Sequence, residues 1–199
     1  FLRDRTSATT ERVSIDSGGV QGNQTSGGVG ISTSADGRFV AFESLATNLV
    51  ASDTNGTYRD VFVRDRTSGT TELASVDTGG TQGDRDSYTP SISTDGRFVA
   101  FFSGSFNFAG STNLSPDIFV RDRQNGTTEL VSLATGGAQA NAHSENPSIS
   151  ADGRFVSFRS DASNLVASDT NGDRAVFVHD RQSGTTERVS VDSGGAQGT

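Results

Sequence analysis

The stretch Ser91-Ile92-Ser93-Thr94-Asp95-Gly96-Arg97-Phe98-Val99 decides the fold, because the chain repeats it. It returns with one residue changed at 148–156, and its last five residues also occur at 36–40. The aspartates of the three copies are separated by 59 and 57 positions. Since Asp-Gly favours a tight hairpin turn, each copy predicts two short strands joined by that turn.

A second motif keeps step with the first. Asp60-Val61-Phe62-Val63-Arg64-Asp65-Arg66 recurs at 117–123 and 175–181, and a truncated copy opens the chain at 1–5. Each copy is followed by Thr-Thr-Glu, at 9–11, 70–72, 127–129 and 185–187. Motifs that recur together indicate a repeat architecture, here with a period of about 58 residues.

Each period predicts four strands. In the second repeat they fall at 91–93, 97–103, 117–121 and 128–133, with turns at Asp-Gly and Asn-Gly between them. No segment shows the 3.6-residue apolar period of an amphipathic helix over three turns. We therefore expect an all-β chain with almost no helix.

The middle strands of each repeat are apolar on both faces, as in 61–63 and 98–102. Strands of this kind are covered on both sides. The fourth strand carries charge at Glu11-Arg12, Glu72 and Glu187-Arg188, which is typical of a protected sheet edge. Four-stranded sheets stacked around an axis form a β-propeller, and this is the fold that we predict.

The repeats divide the chain into four segments: an N-terminal half-blade and linker at 1–28, then repeats at 29–87, 88–145 and 146–199. Because propellers need about four to eight blades, three full four-stranded repeats plus a half-blade predict an incomplete ring in a single chain. The absence of an initial Met predicts a processed chain or a fragment.

Composition excludes several classes of function. The 199 residues contain no Cys, so there is no disulfide framework, thiolate metal site or cysteine nucleophile. A net charge of −8 argues against a nucleic-acid partner. The chain also has no apolar run of about 18 residues, the length that would predict a membrane-spanning segment.

The two motifs together resemble the TolB-like β-propeller repeat over nearly the whole chain. The resemblance implies an exported protein that binds other proteins, or a non-catalytic domain beside a hydrolase. It also implies a structural role for the turn aspartates Asp4, Asp36, Asp65, Asp95, Asp122, Asp152 and Asp180. The first repeat departs from the pattern at 31–35, so we expect an irregular inner strand there.

Two loops carry oxygen ligands at short spacing. The candidate calcium ligands are Asp53, Asn55 and Asp60 in the first loop, and Asp169, Asn171 and Asp173 in the second. Calcium takes six to eight oxygen ligands. The alternative is that Asn-Gly forms a turn that the first aspartate caps.

The sequence positions of the two histidines do not favour a catalytic role. His143 lies in a polar linker, and His179 takes the position of Arg64 and Arg121 in the other copies. We predict that His179 is a solvated strand residue, since no positioned nucleophile or orienting partner can be named. No Gly-x-Ser-x-Gly nucleophile elbow occurs.

The near-identical ends bear on function, because 9–22 and 185–198 match at twelve of fourteen positions. We predict a non-enzymatic extracellular module, at the cell surface or in the bacterial periplasm, that binds another protein or assembles with itself by blade stacking and terminal strands into an oligomer or filament. The alternatives are a fragment of a larger closed propeller that binds a protein or carbohydrate, or the propeller domain of a hydrolase. We expect calcium as the one possible cofactor.

Overall fold

The computed structural model describes residues 1–167, 169–170 and 172–197, and over these it contains fourteen strands and no helix. The N-terminal strand pair is β1 (Leu2–Arg3) and β2 (Thr10–Glu11). The first sheet is β3 (Ser26–Thr33), β4 (Phe39–Ser44), β5 (Asp60–Asp65) and β6 (Thr70–Leu73). The second sheet is β7 (Ser87–Ile92), β8 (Phe98–Ser103), β9 (Asp117–Asp122) and β10 (Thr127–Leu130). The third sheet is β11 (Ser144–Ile149), β12 (Phe155–Ser160), β13 (Ala175–Asp180) and β14 (Thr185–Arg188).

Each four-stranded sheet is an antiparallel meander in which chain neighbours are also sheet neighbours. The all-β fold of stacked four-stranded sheets predicted from the repeats is confirmed. Among the described residues no helix is long and apolar enough to cross a membrane.

A pair of phenylalanines occupies the same register position in every sheet. Phe101 of β8 lies opposite Phe119 of β9, with ring centroids 6.2 Å apart, and both rings are buried. The other two sheets repeat the arrangement with Phe42–Phe62 at 5.9 Å and Phe158–Phe177 at 6.0 Å. Burial of one such ring stabilises the fold by roughly 2–3 kcal/mol, so these pairs form the centre of each sheet.

The Asp-Gly turn holds β7 to β8 through side chains. Ser93 Oγ donates to Asp95 Oδ1 at 2.6 Å, and the Arg97 N–H donates to the same oxygen at 3.0 Å. Arg97 then reaches Asp122 at the end of β9 with two hydrogen bonds of 3.0 and 2.6 Å. The pairs Arg38–Asp65 and Arg154–Asp180 repeat this contact in the other sheets. The turn aspartates therefore have the structural role that the resemblance implies.

Strand limits differ from the prediction at both ends of a repeat. The first strand begins earlier, at Ser87, and a register shift lies between Tyr88 and Ser91. Its cause is a bulge, since Thr89 has a φ of 50° and the following proline has no N–H to donate. The fourth strand ends at Leu130 rather than at position 133, because the chain then turns back on itself and pairs Leu133 with Gln139.

The first strand of the first sheet is irregular, as expected from 31–35. β3 has eight residues against six in β7 and β11, and its register shifts between Ser26 and Ile31. The side chains of this bulge point outward, with Val29 61% and Ile31 54% exposed. The inner strand of the first sheet is therefore longer and more exposed than the inner strands of the other two sheets.

Neighbouring sheets share their apolar cores. One cluster joins the first sheet to the second through Val61, Val63 and Phe101, and another joins the second to the third through Ile118 and Phe158. The middle strands are therefore covered on both sides, as their sequence predicts. The sheets begin at Ser26, Ser87 and Ser144, one to three residues before the predicted repeat boundaries.

Candidate functional site

Three residues of the second sheet make polar contacts across its junction with the first sheet, and we call this set of contacts the junction clasp. Arg123 forms a salt bridge with Glu72. Arg121 Nη1 donates to the main-chain carbonyl of Asp77 at 3.0 Å. Thr128 Oγ1 donates to the Val76 carbonyl at 2.5 Å, while its N–H donates to a threonine hydroxyl at 3.0 Å. Each contact joins the fourth-strand side of one sheet to the third and fourth strands of the next.

The N-terminal strand pair docks on the first sheet through the same clasp. Arg66 forms a salt bridge with Glu11, and Arg64 Nη1 donates to the Asp16 carbonyl at 3.0 Å. Thr71 Oγ1 donates to the Ile15 carbonyl at 2.6 Å. The strand pair therefore presents to the first sheet the same clasp groups that one full sheet presents to the next.

Stacked arginines add to the junctions between full sheets. The Phe39 ring lies between the Arg38 and Arg123 guanidiniums, whose carbons are 4.6 and 4.5 Å from its centroid. Phe98 lies in the same way between Arg97 and Arg181, at 4.6 and 4.5 Å. Such contacts stabilise by about 0.5–2 kcal/mol each. Arg123 and Arg181 each contribute one of them to a ring of the preceding sheet.

The junction between the second and third sheets lacks one part of the clasp. Arg181 pairs with Glu129, and Thr186 Oγ1 donates to the Leu133 carbonyl, as in the other junctions. His179 takes the place of the carbonyl-binding arginine, and its Nδ1 lies 2.8 Å from Thr186 Oγ1.

The prediction that His179 is solvated is therefore wrong, because only 5% of this residue is exposed and burial lowers its pKa. This position on the third strand of each sheet faces the neighbouring sheet. The exchange of Arg for His between repeats did not reveal that orientation.

The far face of the third sheet carries the acceptor half of a clasp. Glu187 matches Glu72 and Glu129, and its side chain is exposed. Val191 is 41% exposed, whereas Val76, at the same position in the first repeat, is 6% exposed. Phe155 is 39% exposed.

The N-terminal strand pair carries the donor half. Arg3, Arg5 and Thr10 match Arg64, Arg66 and Thr71 of the first sheet. Arg3 Nη1 already donates to Thr10 Oγ1 at 3.0 Å, as Arg64 Nη1 does to Thr71 Oγ1 at 3.1 Å. Thr10 is exposed whereas Thr71 is buried, so the donor half is arranged but not covered.

The first candidate calcium loop gathers its residues around an amide. Gln82 Nε2 donates to Asp53 Oδ1 at 3.0 Å and to Asp60 Oδ2 at 2.8 Å. Its Oε1 accepts the Thr54 N–H at 2.7 Å, which fixes the amide with its nitrogen towards the carboxylates. Burial raises the pKa of Asp60 to about 7. The Asn55 side-chain oxygen is buried without a hydrogen-bond partner among the described residues.

The second candidate loop is built differently. Asp169 forms a buried ion pair with Arg188 at 2.7 Å. Asn171 lies outside the described residues. Asp173 precedes the start of β13 by two residues. Among the described residues no three His, Cys, Asp or Glu side chains form a group that could hold a metal. Calcium stays a prediction for both loops, and in the first loop an ion would have to displace the Gln82 amide.

Sequence reasoning missed the residues that hold Asp60. Ser75 Oγ donates to Asp60 Oδ1 at 2.8 Å, and the second sheet repeats the contact from Ser132 to Asp117 at 2.6 Å. A glutamine follows each of these serines at a constant distance, as Gln82 and Gln139, and it also binds the aspartate. This constant spacing was the signal that could have identified the group.

His143 lies at the start of the third sheet, in contact with aromatic and acidic side chains. Its ring centroid is 5.4 Å from that of Phe102, and its Nε2 is 3.6 Å from Glu145 Oε2. Glu145 also accepts from Arg159 and Arg174 at 2.7 and 2.8 Å. Two arginines thus share the carboxylate, which is a structural arrangement rather than one that orients a general base.

Comparisons with solved structures agree with this architecture. TolB from Acinetobacter baumannii is 17% identical, with a TM-score of 0.51, over 87% of this chain and 34% of that one. An oligogalacturonate lyase in complex with manganese is 10% identical, with a TM-score of 0.52, over 86% of this chain and 43% of that one. The chain thus spans about a third to under half of the length of these proteins.

No protein-family model matches the chain, and no curated protein sequence matches it. Identities of 17% and 10% show the fold alone. The repeated sheets, their clasped junctions and these likenesses together establish that the chain has a TolB-like β-propeller fold.

Proposed function

We propose that the chain is a non-enzymatic interaction module that associates with further copies of itself, end to end. One observation carries the proposal: the chain bears both halves of the junction clasp that is complete at two of its internal junctions and lacks only the carbonyl-binding arginine at the other. The acceptor half lies on the third sheet and the donor half on the N-terminal strand pair. A second copy can therefore dock its strand pair where a fourth sheet would lie.

The expected contacts follow from the register of the repeats. Arg5 of one copy pairs with Glu187 of the other, as Arg66 pairs with Glu11. Arg3 donates to the Asp192 carbonyl, and Thr10 Oγ1 donates to the Val191 carbonyl. Within the described part of one chain, the Arg5 and Glu187 side chains form no hydrogen bond or ion pair. Docking therefore breaks no existing contact of these two side chains.

The energies predict a specific but moderate association. Exposed ion pairs contribute about 0–1 kcal/mol, and a hydrogen bond about 0.5–1.5 kcal/mol. Cover over Val191 and Phe155 adds about 25 cal/mol for each Å² of apolar surface buried. The loss of translational and rotational freedom opposes these gains, so we expect micromolar rather than nanomolar association.

Sedimentation velocity of the 199-residue chain across a concentration series tests the proposal. We expect association in the wild type, loss of it in Arg5→Glu and in Glu187→Arg, and recovery in the double variant, which restores the pair with opposite polarity. Arg85→Glu is the matched control, because Arg85 is an exposed loop residue stacked on Phe106 away from both ends.

Two results would count against self-association. A monomer at every concentration favours the alternative in which the same face receives a further sheet of a longer polypeptide or another protein. Association that survives both single charge reversals would mean that the chain uses a different surface.

The same proposal places the protein outside the cytoplasm, at the cell surface or in the periplasm of a bacterium. Its support is the resemblance to TolB-like repeats. Fractionation of the source cells, followed with an antibody to the chain, should find the protein in the exported fractions. Recovery in the cytoplasmic fraction alone would refute this location.

A further inference from the structure

A groove of about 470 Å³ opens at the rim between the second and third sheets. We call it the His179 pocket, and its walls include Glu129, Leu133, Ala134, Gly137, His179 and Gly184. It lies at the one internal junction where the clasp is incomplete. Its position therefore has two counterparts in the same molecule, which show what normally fills it.

The counterparts are filled by guanidinium groups. At the junction between the first and second sheets, Arg121 Nη1 donates to the Asp77 carbonyl at 3.0 Å. At the junction with the strand pair, Arg64 Nη1 donates to the Asp16 carbonyl at 3.0 Å and to the Gly69 carbonyl at 2.9 Å. A planar group with several N–H donors thus satisfies carbonyls on both walls of this position.

His179 leaves the equivalent acceptors open. The Thr186 hydroxyl hydrogen is used on the Leu133 carbonyl, so His179 Nδ1–H must donate to the Thr186 oxygen. Among the described residues, the carbonyl of Ala134 accepts only the Gly137 N–H, at 2.9 Å. The matching carbonyl of Asp77 accepts both the Gly80 N–H and Arg121.

The walls also suit a planar cation. Glu129 and its partner Arg181 border the pocket, and Glu72 of the corresponding Glu72–Arg123 pair attracts the Arg121 guanidinium. A guanidinium is therefore tolerated beside such an ion pair. Ala134 lines the pocket where positions 16 and 77 have an aspartate, so the residue at this point of the wall carries no carboxylate.

We propose that the His179 pocket binds a guanidinium group supplied from outside the chain, namely the arginine side chain of a peptide. The incoming group takes the place that Arg64 and Arg121 fill at the other junctions and donates to the Ala134 carbonyl, as Arg121 donates to the Asp77 carbonyl. The proposal does not depend on self-association, since its contacts lie away from both ends of the chain.

Titration with Nα-acetyl-arginine-N-methylamide, followed by amide NMR shifts, tests the proposal. We expect saturable shifts at Thr135, Gly137 and Gly184, with a dissociation constant on the order of 1 mM. The matching lysine and citrulline amides serve as controls for charge and shape. We expect each to bind at least fivefold more weakly than the arginine amide.

Two variants make the test reciprocal. His179→Arg supplies the guanidinium internally and should weaken binding at least tenfold. Arg121→His should create a second pocket and add saturable shifts near Thr78 and Gly80. Thermal melting of both variants above the titration temperature establishes that they are folded.

The proposal is overturned if the arginine amide produces no saturable shifts in the wild type. It is also overturned if His179→Arg binds as tightly as the wild type, or if the citrulline amide binds equally well.

Discussion

At the scale of single residues, the buried aspartates show how the repeat accommodates charge. Asp60 and Asp117 are each about 1% exposed, and each is held by a serine hydroxyl and a glutamine amide. Burial raises the pKa of both carboxyls, to about 7 for Asp60. The third sheet has Ala175 at this position, so the fold itself does not require the acid.

Asp60→Asn should flatten the dependence of stability on pH. Between pH 4 and 7 the folded protein binds more protons at Asp60 than the unfolded chain does, so the free energy of unfolding falls as pH rises. From pH 5 to pH 8 the wild type should lose about 2–3 kcal/mol through this group. Urea unfolding of both proteins at the two pH values measures the difference, and parallel profiles would contradict the assignment.

Gln82→Glu should turn the first loop into a stronger cation site. The substitution replaces the N–H donor between Asp53 and Asp60 with a carboxylate oxygen, which calcium prefers as a ligand. We expect the melting temperature of the variant to rise with calcium by several degrees more than that of the wild type. Scanning calorimetry with calcium and with a chelator measures this, and equal responses would argue against the loop as a calcium site.

At the scale of elements, each junction between two full sheets includes the close approach of a turn to a ring. Gly96, in the Asp-Gly turn of the second sheet, has a φ of 75° and lies directly on the Phe39 ring of the first sheet. A Cβ at Gly96 would lie 2.1 Å from Phe39 Cδ2. Because two guanidiniums sandwich that ring, it has little room to move.

Gly96→Ala should therefore destabilise the protein much more than Gly56→Ala. Gly56 is the matched control, since its φ is 76° and nothing lies within 4 Å of the added Cβ. The control should lose about 1–2 kcal/mol from the left-handed backbone conformation alone. Gly96→Ala should lose about 1–3 kcal/mol more through the overlap. Chemical unfolding measures both, and equal losses would mean that the junction adapts to the new methyl group.

The repeat period and the turn motifs were enough to predict the elements, because Asp-Gly and Asn-Gly mark where strands end. They did not predict the bulge at Thr89, although the proline that follows it has no N–H for the sheet and was a signal in the sequence. They also could not predict the environment of His179. Whether a strand residue faces solvent or the next sheet is decided by stacking between elements far apart in sequence.

At the scale of the whole molecule, the described residues form three full sheets and one strand pair, in a stack with two unlike ends. Every internal junction is heterologous, with acceptors on one sheet and donors on the next. Continuation of this pattern between copies must therefore also be heterologous, and such contacts either close into a ring or extend as a filament.

If the chain associates with itself as proposed, the number of sheets favours a closed dimer. Two copies joined at both ends would supply six full sheets and two strand pairs, which is eight positions and the upper end of the range of about four to eight blades in propellers. Three copies would exceed that range. We therefore predict that the sedimenting mass rises with concentration to a plateau at twice the 20.7 kDa of one chain. Glu187→Arg should hold the mass at that of the monomer, whereas a wild-type mass that keeps rising beyond two chains would show a filament instead of a ring.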